Sequence, residues 1–383
     1  MPSIRPQTAV LALALVLVVG LAAGPHLRRT PSAAPTAELG TGVSAAPQAP
    51  EPLGGAAYAA RLSALAGEPL DAETLAVAAR AAAEAESARL SELAAELGSD
   101  DWLALFAELE RDHPPDRDAV LAAYRAEAER QRSFLESRDL FPWPERPIRI
   151  LANDNPIFRR YFSLAMYLDG QLAVTLEPPE AADDGGNYLV NHCWVCIPPL
   201  VAHEVAPGHH VAYSVADAVL PAGPERIAAH RSHPVFHEGW GLYAESLMLE
   251  LGYYATPQAQ MGAVRLLFLR SLRAWIDADL HRGRLTAEEA VERYRSEAGL
   301  QTAAAEIEVA RHLKDPGLKA SYFVGLQQIR ALRRQALDDA ADHAKLGAFH
   351  RRLLGRPEPI PEIARSRFAL PADAPLFQGI LPH

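Results

Sequence analysis

Cysteine is nearly missing from this sequence. The 383 residues include two, Cys193 and Cys196, too few for a scaffold held together by disulfides. An excess of cations is missing as well. Lys and Arg total 37 against 48 Asp and Glu, a net charge of −11, and phosphate binding needs clustered cations, so nucleic acid is excluded as a partner. Strand-like runs are few, at 148–151, 172–176 and 188–190. No repeat of fixed period stands out. What remains is ordinary material for a core: 49% hydrophobic and 22% charged residues, which excludes disorder throughout. The length admits one large domain or two modest ones.

Between Arg5 and Arg28 no residue carries a formal charge, and residues 9–23 are all small or aliphatic. Such a run behind a short basic start is a signal peptide or an anchor, assigned here to residues 1–25, with 8–24 as the tether if it is retained. No cysteine follows it, which argues against a lipidated N-terminus. The body is therefore expected outside the cytoplasm, periplasmic or membrane-anchored. Residues 26–56, rich in Pro and Ala, cannot bury a core and read as a linker. Ala-, Glu- and Leu-rich sequence with apolar positions at helical spacing follows, with Asp71 and Ser99 as turn or capping residues. Two further helices are expected over 101–111 and 115–137, and helical pattern dominates from 199 to 350. The fold class is mainly α with a small β-sheet, over 57–355. Residues 356–383, a Pro-rich tail, are expected to wrap the surface.

Many of the 14 histidines lie between positions 192 and 237. His203-Glu204 opens what looks like the helical zinc motif in which two His one turn apart hold the metal and the Glu acts on water. Position 207 is Pro rather than His, however, and His209 and His210 come later. On a straight helix neither can meet His203: six residues point to nearly opposite sides, and seven lie roughly 10.5 Å apart along the axis. Pro207-Gly208 supplies a disturbance, because Pro removes a helical hydrogen bond and Gly relaxes the backbone. A local two-residue bulge would bring His209 to the second ligand position, with His210 as the alternative. Glu238, opening an apolar helix, is the third-ligand candidate, with Gly239 and Gly241 allowing close approach to the first helix. Glu245 would orient a ligand His from behind, and His237 reads as a neighbour.

The blocks HEVAPGHH, HEGWGLYAE, IDADLH (276–281) and DPGLKASYFVG (315–325) resemble, in order, those of the bacterial family called domain of unknown function 885. That family is grouped with zincin-like metallopeptidases. Leu318 stands where the family has Gln, and Asp279 where it has Gly. The resemblance covers about 185–340. It implies a zincin-like architecture, Zn2+ on His203, His209 and Glu238, and Glu204 as general base in hydrolysis of a peptide or other small amide. It also implies an edge strand over 187–191 beside the metal helix, and Tyr322 as a hydrogen-bond donor to the oxyanion, the alternative being a buried Tyr with a satisfied hydroxyl. Asp277 and His281, four apart, could form an orienting pair. Arg311 and His312 read more readily as core or surface residues. Cys193 and Cys196 are expected as a local disulfide or two idle thiols. The competing functions are a zinc hydrolase of a non-peptide amide or ester, and a non-catalytic, membrane-tethered zincin-like binding module.

Overall fold

A computed structural model of the chain describes residues 51–143, 146–155, 164–178, 187–337 and 342–379. The chain divides into one unit over Met1–Gln48 and a second over Ala49–His383. The expected leader and most of the expected linker lie outside the described residues. Among the described residues no helix is long and apolar enough to cross a membrane.

Local sequence punctuates the first helices. Gly55–Ala66 (α1) stops at Gly67, whose φ of 73° suits only glycine without cost. Ala72–Glu96 (α2) is capped by Asp71, which accepts from Thr74 N at 2.9 Å. Trp102–Leu109 (α3) starts on Asp101, and Arg117–Glu136 (α4) on Asp116. Along α2, Leu75, Ala79, Ala82, Leu90 and Leu93 recur at helical spacing on the buried side. That stripe packs along the second long helix described below.

Three short strands follow: Arg149–Ala152 (β1), Ala165–Leu168 (β2) and Gln171–Val174 (β3). Their order is β1-β3-β2, with β1 parallel and β2 antiparallel to β3. β1 and β3 match the expected runs, while β2 was not expected. It is joined to β3 through Asp169 and Gly170, at φ 46° and 76°. An Asp-Gly pair with positive φ at both positions is the tight-hairpin signal that would have revealed it. The strand expected at 188–190 is instead a 3-10 turn, Tyr188–His192. Asn187 accepts from Leu189 N and Asn191 donates to Tyr188 O. These short polar side chains bond their own backbone and turn it away from a ladder.

The rest is helical: Ile197–Glu204 (α5), His209–Val219 (α6), Pro224–Arg231 (α7), Pro234–Glu250 (α8), Pro257–His281 (α9), Ala287–Ala298 (α10), Thr302–Lys314 (α11), Ser321–Ala336 (α12), His343–Leu353 (α13) and Ile360–Phe368 (α14). α9 packs along α2. α8 crosses α12 where Gly239 meets Gly325, so closely that a Cβ on Gly239 would lie 2.4 Å from the other backbone. The stretch after 355 joins the core instead of lying over the surface. Ile360, Ile363 and Leu376 are fully buried, and Leu376 N and Phe377 N both donate to Glu68.

Two buried histidines carry a consequence for stability. His350 donates from Nδ1 to Leu140 O at 3.1 Å and faces Tyr243 Oη at 3.0 Å; His192 lies between Thr175 O (2.8 Å) and Tyr124 Oη (3.0 Å). Burial pushes their pKa values down, to about 3 and about 4. Both are lowered on folding, so their neutral forms stabilise the fold above the ordinary histidine range, and this is lost as pH falls from about 6.5 toward those values. Together they should cost roughly 4 kcal/mol between pH 7.5 and 5. Urea unfolding at the two pH values, with chelator present in both, measures it. His350→Gln should remove about half of the difference, and a flat profile in the native chain would refute the assignment.

Candidate metal centre

The centre is built where α5 ends and α6 begins. Just before α5, Cys193 and Cys196 form a disulfide. The helix stops at Glu204 and restarts at His209, and the interval contains a cis bond between Ala206 and Pro207. The sequence predicts a bulge within one helix, but the structure has a full break between two. Gly208 is required there, since a Cβ would lie 1.7 Å from His203 O. Trp240 of α8 closes the break, its Nε1 donating to Pro207 O (2.9 Å) and Gly208 O (3.1 Å).

The break turns His209 back onto His203, with ring centroids 4.7 Å apart and near perpendicular. His203, Glu204 and His209 each offer an atom within 4.8 Å of the others, and all three are buried. From α8, Glu238 Oε2 lies 3.4 Å from His203 Nε2 and 3.6 Å from His209 Nε2. His210 points elsewhere. Its Nδ1 faces Tyr167 Oη at 3.2 Å and its Nε2 faces Arg146 O at 3.0 Å, so both nitrogens are engaged. Of the two expected glycine contacts, Gly241 packs on the His203 ring, where a Cβ would be 2.4 Å away, whereas Gly239 packs on Gly325 of α12.

Behind the centre, His203 Nδ1 donates to Glu245 Oε1 at 2.7 Å. That bond leaves the lone pair of Nε2 facing Glu238. Glu238 Oε2 and His209 Nδ1 are buried without a hydrogen-bond partner. Two imidazole nitrogens and a carboxylate oxygen thus converge where either a ring proton or a metal ion can join them. Four-coordinate zinc, with bonds of 2.0–2.1 Å, needs neighbouring ligands about 3.3 Å apart. The observed 3.4 and 3.6 Å fit that requirement. The electrostatics agree. Burial alone would lower the pKa of His203, but Glu238 and Glu245 override it and hold it up at about 10. Glu238 is pulled well below the usual carboxylate range against its own burial, by His203 and His209. Such a site draws positive charge, whether a proton or a metal ion.

Glu204 reaches the same cluster from α5. Tyr167 N on strand β2 donates to its Oε2 at 2.9 Å. Burial pushes its pKa up, against His209 and His203, which pull it down. Tyr322, from α12, stacks on the His203 ring at 5.9 Å with 21° between planes. Its hydroxyl makes no hydrogen bond among the described residues, and burial followed by Glu238 raises its pKa, so it stays protonated. Two aromatic residues escaped the sequence reading. Tyr213 packs edge-on against His209 and stacks on His237. Tyr167 anchors both Glu204 and His210. No spacing rule singles out either; the Asp-Gly turn after β2 was the available signal for Tyr167. His237 is a neighbour, its Nε2 donating to Ala229 O.

The expected Asp277–His281 pair is present only as a loose contact, with His281 Nε2 3.8 Å from Asp277 Oδ1, too long for a hydrogen bond. Asp277 instead accepts from His312 Nδ1 (2.7 Å), Tyr58 Oη (2.6 Å) and Gly317 N (2.8 Å), while His281 donates to His312 O. One helical turn brings 277 and 281 to one side of α9, but a carboxylate with three better-aimed donors takes those. The network pins the turn before Tyr322. For a metal ion held by this cluster, Glu245→Gln is expected to lower the affinity for added zinc 10–100-fold by loosening the His203 ring. Titration against a competing chelator measures this, and an unchanged affinity would remove Glu245 from that role.

Fold and site define a mainly helical protein with a small three-stranded sheet and a buried His–Glu cluster able to hold a metal ion. The chain belongs to DUF885, a family of bacterial proteins of unknown function, whose model matches residues 28–356. No curated protein matches it. Two solved structures share the fold. One is a lipoprotein candidate from Colwellia psychrerythraea (TM-score 0.70, 21% identity), covering 82% of this chain and 54% of that one. The other is a lipoprotein candidate of unknown function from Shewanella oneidensis (TM-score 0.68, 19% identity), covering 82% and 59%. This chain therefore spans little more than half the length of either.

Proposed function

We propose that the protein is an exported, zinc-dependent hydrolase of peptide bonds with a zincin-like centre. The observation that carries this reading is the unpartnered Glu238 Oε2 lying 3.4 Å from His203 Nε2 and 3.6 Å from His209 Nε2, spacings that two neighbouring ligands of a tetrahedral zinc require. His203, His209 and Glu238 would hold the ion. Bound there, zinc would supply Lewis acidity, which makes water a better nucleophile and a carbonyl a better electrophile.

The chain's own groups do the rest. Glu204 is tied down through Oε2 by Tyr167 N, which leaves Oε1 to take the proton of the attacking water and return it to the leaving amine. A carboxylate whose pKa is raised by burial is a better base for that transfer. Tyr322, protonated and with its hydroxyl unused, donates to the oxyanion that develops on the substrate carbonyl. β2 is one of the sheet's two edge strands and turns Tyr167 N toward Glu204. It takes the part first given to 187–191, offering backbone against which an extended substrate can lie.

Export is supported by the apolar N-terminal run and by the Cys193–Cys196 disulfide, a bond that persists in oxidising compartments. The lipoprotein descriptions of the two similar structures point the same way. Within this sequence, the tether we assign is residues 8–24.

The test is zinc stoichiometry on the native chain beside His203→Ala, His209→Ala and His210→Ala. About one zinc per chain is expected, lost in the first two variants and kept in the third, whose ring is already bonded to Tyr167 and Arg146. A metal-free native chain of unchanged fold would overturn the proposal in favour of a binding module. Activity confined to small acyl esters, with peptides uncut, would overturn the peptide assignment alone.

A further inference from the structure

Beside the metal cluster, on the far end of Tyr322's contacts, lies a second group of buried charges that the proposed reaction does not use. Arg270 is 9% exposed, its Nε has no hydrogen-bond partner, and its guanidinium carbon lies 4.9 Å from the Tyr322 ring centroid. Among the described residues it makes no hydrogen bond or ion pair. Nearby, Arg273 binds Glu308 through two bonds of 2.8 Å, and Lys319 reaches the same carboxylate at 3.4 Å. One anion is thus shared by two cations, and Arg270 and Arg311 add further positive potential at both Lys319 and Tyr322. Burial, then Arg273, push the Lys319 pKa well below its ordinary value. A buried cation without a counter-charge is costly, and an incoming anion relieves that cost.

Reach decides what kind of anion. The Tyr322 ring touches both His203, at 5.9 Å, and Arg270, at 4.9 Å, so the guanidinium is within about 11 Å of the proposed metal ligand. A carboxylate carbon rests about 4 Å from a guanidinium carbon it binds. The remaining gap is covered by one or two extended residues at about 3.5 Å each.

We propose that Arg270, in the field of Lys319, binds the terminal carboxylate of a short peptide, so that the enzyme trims one or two residues from the carboxyl end. This deepens the peptidase reading and rests on it. Hydrolysis adds water across the bond: oxygen goes to the acyl carbon, the C–N bond breaks, and the proton taken by Glu204 leaves with the amine of the released piece. That piece keeps the carboxylate held by Arg270. An acidic side chain offers the same chemistry, and the test must separate the two sources.

Calorimetry on the full-length Glu204→Gln protein, which should bind without turnover, uses four probes: benzoyl-Gly-Ala-Phe with a free carboxylate, the same peptide as its amide, and benzoyl-Gly-Ala-Glu with either its terminal or its side-chain carboxyl group converted to an amide. The free acid is expected to bind about tenfold or more tighter than its amide, as a charge-assisted contact requires. Adding Arg270→Gln should bring the two within about twofold, and Arg270→Lys should restore part of the preference. Equal binding of acid and amide, no binding of either, or a preference that survives Arg270→Gln overturns the proposal. Tight binding of the Glu peptide carrying only its side-chain carboxylate also overturns it, since the pocket would then read side chains. Because the first comparison needs no change at Arg270, a poorly folded variant does not spoil it. If the acid is preferred yet the native chain cuts neither peptide, the peptidase reading fails while the carboxylate site stands.

Discussion

Glu204→Gln is expected to lower peptide hydrolysis by 10²–10⁴-fold, the usual share of a positioned general base, while leaving zinc content unchanged. Gln matches Glu in size and keeps an oxygen that can accept from Tyr167 N, so the local backbone should hold its place. What is lost is the basic oxygen. Glu204 also reaches the cluster, but we assign the ligand role to Glu238, whose 3.4 and 3.6 Å contacts with the two imidazoles do not depend on Glu204. The variant therefore separates proton transfer from metal binding. Loss of metal together with activity would show that Glu204 is a ligand, and full activity would show that another group carries the proton.

Glu308→Ala should be the most damaging single change away from the centre. Glu308 is fully buried and holds Arg273 through two hydrogen bonds and Lys319 at 3.4 Å. Removing it leaves two cations without their counter-charge, and breaking a buried pair in this way costs about 3–5 kcal/mol. Chemical denaturation reads the loss directly. The cost arises from stranded charge rather than lost attraction, so Glu308→Leu combined with Arg273→Met and Lys319→Met should recover most of it. A triple variant no more stable than Glu308→Ala would show that packing, not charge, is what Glu308 supplies.

How far the sequence was readable can be followed residue by residue. Asp71 announced the start of α2, because an N-cap is a contact over three residues and needs no partner from elsewhere. Cys193 and Cys196 were close enough in the chain to pair, and they do. The strand expected near 188 does not form, because Asn187 and Asn191 on either side of the apolar residues bond their own backbone. The unexpected β2 was hidden by its four-residue length, although its Asp-Gly turn was in view. Asp277 and His281 were paired by helical spacing, yet Asp277 bonds Tyr58, His312 and Gly317, which come from distant parts of the chain. Arg270 had no signal at all, since a lone Arg within a helix looks like any solvated one.

From the sequence alone came the helical class, the interruption at Pro207-Gly208 and the short list of His and Glu able to share an ion. These follow from backbone chemistry and from spacing within a few residues. Only the tertiary structure could turn His209 rather than His210 toward His203, bring Glu238 and Glu245 to it from another helix, and bury Arg270 against Tyr322. Each of those outcomes depends on which surfaces pack together, and packing joins residues whose separation along the chain carries no trace of it.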